Sequence, residues 1–211
     1  MRSDHVKKTI AVYDAIADDY AKKLDDYAPR PEQEKFVSLL PKHIKVLDAG
    51  CGPGRDCDYF VKQGLQVVGV DLSEKLLVLA KERVPQAKFI KQDLRKLRFS
   101  DQSFDGIWAC ASLHHLKRDE VPLVLQKFFQ LLTSHGILFI LVKEGKGEAD
   151  IVESLSSGLP RHFVYYTLEE LNTLLKEAGF SIIETYTWRE EVRRSGRSDL
   201  VWISSFSRKP L

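Results

Sequence analysis

The chain has little cysteine and no cysteine pair of the kind that binds a metal. Its 211 residues include three cysteines, Cys51, Cys57 and Cys110, and none of them forms a C-x-x-C motif. This usage is typical of a reducing compartment and offers no zinc site. We therefore expect a cytoplasmic protein without disulfides and without a bound metal.

Long apolar runs and an excess of charge are also missing. The longest unbroken apolar run, residues 137–142, has six members, and charged residues appear within the first ten positions. A membrane-spanning helix needs about 20 apolar residues, so neither a membrane span nor a secretory signal is expected. Lys and Arg number 32 against 30 Asp and Glu, and this net charge of +2 neither implies nor excludes a nucleic-acid partner.

The chain has the length and composition of one domain. A hydrophobic content of 44% is enough to build a core, and no internal repeat, low-complexity tract or Gly/Ser linker divides the sequence. We therefore expect a single domain over residues 1–211.

Helix and strand signals alternate along most of the chain. Apolar positions recur in steps of three and four from Val6 to Leu24, which predicts one helix there, and a short helix should follow before Pro41. Strands are predicted at residues 44–47, 66–71, 88–90, 104–109 and 137–142. Helices are predicted at residues 55–62, 74–84 with Ser73 as N-cap, 119–132, and up to 178 after a capping box of Thr167 and Glu170.

The last part of the sequence breaks this alternation. Residues 180–188 and 200–207 read as two strands with no helix between them, which indicates an antiparallel hairpin at the edge of a sheet. The whole pattern predicts an α/β fold with a doubly wound, mostly parallel, seven-stranded sheet.

A glycine-rich turn follows the first predicted strand. Gly50, Gly52 and Gly54 stand at every second position after Asp48, and Asp71 ends the next strand, 19 residues after Gly52. Glycines allow a sharp turn and a close approach to a ligand, and a carboxylate at the place of Asp71 can accept hydrogen bonds from both hydroxyls of a ribose.

The spacing of the glycines argues against a dinucleotide. The fingerprint G-x-G-x-x-G needs a small residue at its third glycine position, but that position is Arg55 when counted from Gly50 and Cys57 when counted from Gly52. The turn therefore favours a nucleoside with a charged amino-acid tail over a pyrophosphate.

Four segments together resemble the class I (Rossmann-like) S-adenosylmethionine-dependent methyltransferases. They are VLDAGCGPGRD (46–56), VVGVDLS (67–73), KQDLRKL (91–97) and SFDGIWACASLHHL (103–116), and the terminal hairpin fits the reversed last strand of that family. The resemblance implies three parts of one domain: an N-terminal helical lid (1–41), a cofactor-binding half (42–145), and a substrate-side helix with the terminal hairpin (146–211).

The resemblance also implies which residues hold S-adenosylmethionine. The methionine portion would lie on the glycine turn, the ribose at the end of the second strand, the adenine edge after the third strand, and the sulfonium above the end of the fourth. The expected residues are Asp48, Gly50, Gly52 and Gly54 for the methionine portion, Asp71 and Leu72 for the ribose, Asp93 and Leu94 for the adenine edge, and Ala109 and Cys110 for the sulfonium. Tyr20 and Arg30 would contribute more loosely, from the lid.

Two adjacent histidines are the candidate catalytic residues. His114 and His115 follow the fourth strand, where the carboxyl ends of parallel strands open into the ligand crevice. Histidine titrates near neutrality, so we expect one of the two to remove or steer a proton on the substrate. The alternative is a role in packing or capping.

Candidate substrate residues follow the fifth strand. Lys143 ends that strand, and Arg161, Tyr165 and Tyr166 precede the capped helix, where they could form the wall of a substrate pocket. The alternatives are a solvated loop for Lys143 and a cover over the sheet for the aromatic residues. The arginine run within residues 189–197 is read as a solvated loop, with phosphate binding as its alternative.

The predicted reaction is transfer of a methyl group to an N, O or S atom of a small molecule. The additions to the common core are short, which favours a small-molecule pocket, and no membrane partner or particular oligomeric state is indicated. Two alternatives remain open: a tRNA-modifying methyltransferase of the wobble-uridine type, which the glycine turn and residues 161–166 also resemble, and a non-catalytic protein that binds the cofactor as a regulator or scaffold.

Overall fold

The computed structural model describes residues 4–41, 44–152, 156–190 and 200–211. Its nine strands are β1 (Lys45–Ala49), β2 (Gln66–Asp71), β3 (Lys88–Lys91), β4 (Phe104–Cys110), β5 (Leu132–Lys143), β6 (Glu148–Val152), β7 (Pro160–Val164), β8 (Ser181–Arg189) and β9 (Val201–Arg208). Seven of them form one sheet in the order β3-β2-β1-β4-β5-β9-β8, and β6 pairs with β7 in a second, two-stranded sheet.

The large sheet is parallel except at β9. This strand runs antiparallel to β5, with Ile137 opposite Arg208, and antiparallel to β8, with Trp188 opposite Trp202. The predicted α/β fold, with a doubly wound seven-stranded sheet and a terminal antiparallel hairpin, is confirmed.

Seven helices surround the sheet in the described part of the chain. They are α1 (Asp4–Ala15), α2 (Ala17–Leu24), α3 (Arg30–Ser38), α4 (Arg55–Lys62), α5 (Glu74–Arg83), α6 (Val121–Leu131) and α7 (Leu168–Glu177). Both predicted caps are present: the Ser73 hydroxyl accepts the Leu76 N–H, and Thr167 forms a reciprocal capping box with Glu170. None of the described helices has the length and apolar composition of a membrane span.

The sheet is covered on both faces because its central strands bury successive side chains on opposite sides. In β4, Ile107 packs into the layer under α6 and α7, whereas Trp108 packs into the opposite layer. The Trp108 ring is stacked on Phe139 with 4.0 Å between ring centroids and contacts Phe36 edge-on. A parallel sheet buried in this way needs continuous apolar strands, which is what the sequence provides.

The single helix predicted for residues 6–24 is wrong. The chain turns at Ile16, with φ −111° and ψ 10°, and α1 and α2 lie on either side of this buried residue. Because of this turn, α1 packs against both β7 and α5, whereas α2 packs against α5. The spacing of apolar positions predicts that a segment is helical, but it does not show that the chain changes direction at a buried residue within the segment.

The strands β6 and β7 were not predicted. They form an antiparallel pair in which Glu148 lies opposite Val164 and Val152 lies opposite Pro160. The side chains of β6 alternate only between half-buried and exposed, so the segment carries a weak strand pattern. Its pairing depends on β7, which packs against α1 and the turn after β4.

Candidate functional site

The carboxyl ends of β1, β2 and β4 meet at one edge of the sheet, where the glycine turn begins. The N–H groups of Gly50 and Cys51 both donate to the Val70 carbonyl, at 2.8 and 2.9 Å. Gly50 has φ +91°, and a methyl group on its Cα would lie 2.4 Å from Cβ of Ser112. Glycine is therefore required at this position by both backbone conformation and space.

Asp71 connects β2 to this turn. One carboxylate oxygen accepts the Gly52 N–H and the other accepts the Ser73 N–H, both at 2.9 Å. Burial raises the pKa of Asp71, and these two backbone N–H groups act in the opposite direction. A carboxylate has about four lone-pair sites, so Asp71 can still accept hydrogen bonds from a ligand.

A first cavity opens between the turn and the two amino-terminal helices. Thr9, Ile10 and Tyr13 of α1 cover it from above. A side chain on Gly52 would meet only the Tyr20 ring, 4.0 Å away, so the turn faces open space. Eight of the twelve predicted cofactor residues line this cavity: Tyr20, Gly50, Gly52, Asp71, Leu72, Asp93, Leu94 and Cys110.

Asp93 is held in place before any ligand binds. Its carboxylate accepts the backbone N–H and the side-chain Nε of Arg95, at 3.0 and 2.9 Å, and the same guanidinium is paired with Glu120 at 2.6 Å. The contact orients the Asp93 side chain at the rim of the first cavity.

Four predicted cofactor residues lie outside the lining of both cavities described here. Asp48 is buried beneath the turn, where it accepts the Cys57 thiol, and burial followed by neighbouring Asp56 raises its pKa well above the usual range. Gly54 packs against α5, and Ala109 is fully buried in the sheet. Arg30 donates to a neighbour on α3 and lies over the Tyr59 ring.

A second cavity adjoins the first at the end of β4. Six residues line both: Tyr13, Tyr20, Gly50, Gly52, Cys110 and Ala111. The far walls of the second cavity are aromatic. They come from the turn after α2, from β7 and from the terminal hairpin, and the residues are Tyr27, Phe163, Trp188 and Trp202. Two separate ligands can therefore meet end to end at the shared residues.

Buried charges line the second cavity. Lys143 and Arg161, both predicted substrate residues, are 2% and 3% exposed, and the Lys143 ammonium lies 3.5 Å from the centroid of the Phe163 ring. Arg55 forms a buried ion pair with Asp56 at 2.7 Å, and Asp56 also accepts the Trp108 indole N–H. A cation placed over the face of an aromatic ring is attracted by the ring electrons, and the attraction is stronger where water is excluded.

The other two predicted substrate residues lie elsewhere. Tyr166 is buried under α7, its ring is covered by Arg118, and burial raises its pKa to about 12. Tyr165 contributes its backbone carbonyl to Arg118. Neither tyrosine lines the described cavities. Of the arginine run, Arg189 ends β8 and the remaining arginines lie outside the described residues.

The two candidate histidines have different surroundings. His115 lines the first cavity, and its ring bonds on both sides: Nδ1 is 2.7 Å from the His162 carbonyl and Nε2 is 2.9 Å from the Tyr13 hydroxyl. His114 lines the second cavity, and its Nδ1 is buried with no hydrogen-bond partner among the described residues.

Both histidines are weak bases in this site. Burial, and then the positive charge of Arg161, lower the pKa of His115 to about 3. Burial also lowers the pKa of His114 well below its usual range, and His115, Lys143 and Arg161 add to the effect. Both rings are therefore neutral at pH 7, and a proton-removing role for either stays a prediction.

Sequence reasoning missed several residues of the two cavities. Tyr13 falls within the periodic stretch from Val6 to Leu24 and was not among the predicted site residues, although it lines both cavities. Four further residues of the second cavity come from late in the chain, and sequence reasoning assigned them no role in the site. They are Phe163, Trp188, Glu190 and Trp202. The one available signal was the aromatic content of the terminal hairpin, which a solvent-exposed edge does not need.

Comparison with known proteins finds similar methyltransferases. Residues 46–136 match the family model described as a methyltransferase domain. Trans-aconitate 2-methyltransferase from Variovorax paradoxus is 30% identical over 163 residues, which cover 75% of this chain and 62% of that protein. The protein YqeM from Bacillus subtilis is 32% identical over 133 residues, which cover 60% of this chain and 53% of that protein. The chain thus spans between half and two thirds of the length of these two relatives.

A solved structure is similar over the whole chain. It is the 1,6-didemethyltoxoflavin-N1-methyltransferase from Burkholderia thailandensis with bound 1,6-didemethyltoxoflavin and S-adenosylhomocysteine. The TM-score is 0.73 at 25% identity, covering 100% of this chain and 92% of that one. The family resemblance read from the sequence is confirmed.

The sheet order, the glycine turn tied to Asp71 and these matches define a Rossmann-like fold that contains a methyltransferase domain. Residues 46–136 are a methyltransferase domain, and the chain has the fold of the class I S-adenosylmethionine-dependent methyltransferases. S-adenosylmethionine is the cofactor of this family, and the first cavity fits it because the open turn, the Asp71 carboxylate and the rim at Asp93 offer places for its three parts.

Proposed function

We propose that the chain transfers the methyl group of S-adenosylmethionine to an N, O or S atom of a small molecule bound in the second cavity. The observation that carries this proposal is the junction at Tyr13, Tyr20 and Cys110, which line both cavities. A cofactor whose amino-acid portion lies on the glycine turn would present its methyl group there, to a ligand on the other side.

The role of the protein in this reaction is alignment. S-adenosylmethionine supplies an electrophilic methyl group on a good leaving group, so no covalent intermediate with the protein is needed. The Asp71 carboxylate and the glycine turn hold one reactant, and the aromatic walls of the second cavity hold the other. Helices α1 and α2 cover the junction and exclude water. Holding two reactants in line in this way supplies about 7 to 11 kcal/mol.

The charges of the second cavity favour an acceptor that carries an anionic group. Among its described lining residues are three cations and two carboxylates, and Arg55 is already paired with Asp56. An ammonium has three donors and a guanidinium has five, so Lys143 and Arg161 can bind a carboxylate while keeping the contacts they have. The relative from Variovorax paradoxus is named for trans-aconitate, a small carboxylate, which supports an acceptor of this kind.

Labelled S-adenosylmethionine tests the proposal. The purified chain is incubated with 2-aminobenzoate, 2-hydroxybenzoate and phthalate, with the neutral control 2-aminobenzamide, with an ultrafiltered metabolite extract, and with bulk tRNA. We expect the label to appear in small-molecule products. The carboxylates should take up at least about tenfold more label than 2-aminobenzamide, and the labelled products of the extract should be found in its anionic fractions.

Two results would overturn the proposal. Label in tRNA and in none of the small molecules would make the chain a tRNA methyltransferase. Tight cofactor binding without transfer to any acceptor would make it a binding protein that performs no reaction.

A further inference from the structure

Tyr13, His115 and Arg161 form a hydrogen-bonded unit at the junction of the two cavities. The Tyr13 hydroxyl lies 2.9 Å from Nε2 of His115 and 2.6 Å from a guanidinium nitrogen of Arg161. The three side chains come from α1, the turn after β4, and β7, so the unit exists only when α1 is closed over the sheet edge. Tyr13 lines both cavities.

The direction of each hydrogen bond in this unit is determined. A carbonyl oxygen can only accept, so Nδ1 of His115 must carry the proton that it gives to the His162 carbonyl at 2.7 Å. Because the ring is neutral, with a pKa of about 3, Nε2 then has a lone pair and accepts the Tyr13 proton. Arg161 has only donors, so it donates to the Tyr13 oxygen.

The consequence concerns what Tyr13 presents to a ligand. Its proton is committed to His115, so the hydroxyl acts toward the cavities as an acceptor only. An atom that approaches it favourably must bring its own hydrogen. The neighbouring charges of Arg161 and Lys143 also disfavour a protonated amine, which keeps an amine lone pair available.

We infer, on the basis of the proposed function, that Tyr13 contacts the reacting atom of the acceptor and that this atom is a hydrogen-bearing nitrogen. The Tyr13 oxygen accepts the N–H and thereby turns the lone pair of the nitrogen toward the methyl group. His115 is a positioning residue, since it acts by fixing the direction of the Tyr13 hydroxyl and does not remove a proton.

The step balances without an added base. The acceptor lone pair forms the new bond to the methyl carbon as the carbon–sulfur bond breaks, and the electron pair of that bond stays on sulfur. The positive charge moves to the acceptor atom. Its proton stays in the hydrogen bond to Tyr13 and passes to water when the product leaves.

Tyr13→Phe is the first test, since it removes only the hydroxyl. With 2-aminobenzoate as the N–H acceptor, we expect kcat to fall about tenfold to hundredfold, the size of one lost hydrogen bond. With phthalate, which has no such hydrogen on its nucleophile, the rate of the variant should equal that of the parent. A parent that methylates phthalate and not the amine would overturn the inference, as would an unchanged kcat in the variant.

Asp14→Ala is the matched control on the same helix. Asp14 accepts the Ser73 hydroxyl at 2.5 Å and so ties α1 to α5, but it lines neither cavity. If Tyr13 serves only to hold α1 closed, both variants will weaken S-adenosylhomocysteine binding alike and share one kcat at saturating cofactor. The inference requires the fall in kcat in Tyr13→Phe alone.

His115→Gln and His115→Leu separate a positioning role from a basic one. A glutamine side chain has an NH2 group that donates and a carbonyl oxygen that accepts, so it can serve the His162 carbonyl and the Tyr13 hydroxyl together, whereas leucine serves neither. We expect His115→Gln to keep at least about tenfold more activity than His115→Leu, with the parent pH profile. If both variants lose the same amount of activity, and the acid limb of the pH–activity profile disappears, His115 acts as a base instead. A parent that transfers no methyl group at all contradicts the proposed function itself, which is a separate outcome.

Discussion

The carboxylate of Asp71 accepts the backbone N–H of Gly52 at 2.9 Å, so the end of β2 fixes the turn that follows β1. The same side chain accepts the Ser73 N–H at the start of α5. One residue thus organises the glycine turn and lines the first cavity, where we propose that it binds the ribose of the cofactor. Changing it should affect cofactor binding more than it affects the fold.

We expect Asp71→Asn to weaken S-adenosylhomocysteine binding about tenfold to hundredfold. The amide keeps one acceptor oxygen and places N–H donors against backbone N–H groups, so charge-assisted hydrogen bonds worth about 1.5 to 3 kcal/mol are lost. Asp105→Asn is the control, because Asp105 also accepts a backbone N–H, from Lys45, but lies outside both cavity linings. Calorimetry measures both, and equal affinities for the two variants would contradict the assignment of Asp71.

Two glycines with the same backbone conformation should respond differently to alanine. Gly54 and Gly64 have φ of +81° and +82°, but a methyl group on Gly54 would lie 3.2 Å from Ala80 whereas nothing lies within 4 Å of one on Gly64. Gly64→Ala should cost the backbone strain of about 1 to 2 kcal/mol. Gly54→Ala should cost about 1 to 3 kcal/mol more, since it also pushes α4 away from α5.

Urea unfolding of the two variants measures this difference. Comparable losses of stability would show that α5 can move aside. In that case the close packing of Gly54 on Ala80 would not constrain the turn.

Acid should destabilise the protein partly through His115. Its pKa is about 3 in the folded chain and near 6.5 in the unfolded chain, so below pH 6.5 the unfolded state binds a proton that the folded state does not. Between pH 7 and pH 5 the parent should therefore lose up to about 2 kcal/mol more unfolding free energy than His115→Gln, which has no titrating group there. If the two chains lose the same amount, His115 is not held neutral.

Lys143→Met should raise KM for anionic acceptors about tenfold or more and leave S-adenosylhomocysteine affinity unchanged. Lys143 is 2% exposed in the second cavity, where a hydrogen bond to a charged group is worth about 1.5 to 3 kcal/mol. Lys146→Met is the matched control, because Lys146 lies exposed in the following turn. Steady-state kinetics with 2-aminobenzoate and 2-aminobenzamide decides the question, and an equal rise in KM for the charged and the neutral compound would argue against anion binding.

Local signals predicted those parts of the fold that short stretches of sequence determine. Helix α4 has the predicted bounds 55–62, and β2 has the predicted bounds 66–71, because each lies between turn residues and has the length of a buried element. The turn at Ile16 and the pair of β6 and β7 depend instead on packing between α1 and β7, elements about 150 residues apart in the chain. No local pattern carries that contact.

The candidate site divides in the same way. The glycine turn and Asp71 could be read from the sequence because backbone conformation and spacing require particular residue types there. Tyr13 and Trp202 could not be read in this way. The period of a helix or the alternation of a strand indicates that a face is buried, but it does not identify the element or ligand that covers the face. Four of the twelve predicted cofactor residues, including Asp48 and Arg30, lie outside the described cavity linings because a motif position does not determine the direction of its side chain.

The central claim is that the first cavity binds S-adenosylmethionine and not a dinucleotide, and calorimetric titration tests it most directly. The parent chain is titrated separately with S-adenosylhomocysteine and with NAD under the same conditions. We predict one S-adenosylhomocysteine bound per chain, with at least about hundredfold higher affinity than NAD, a preference of about 2.8 kcal/mol. Equal or tighter binding of NAD would contradict the account.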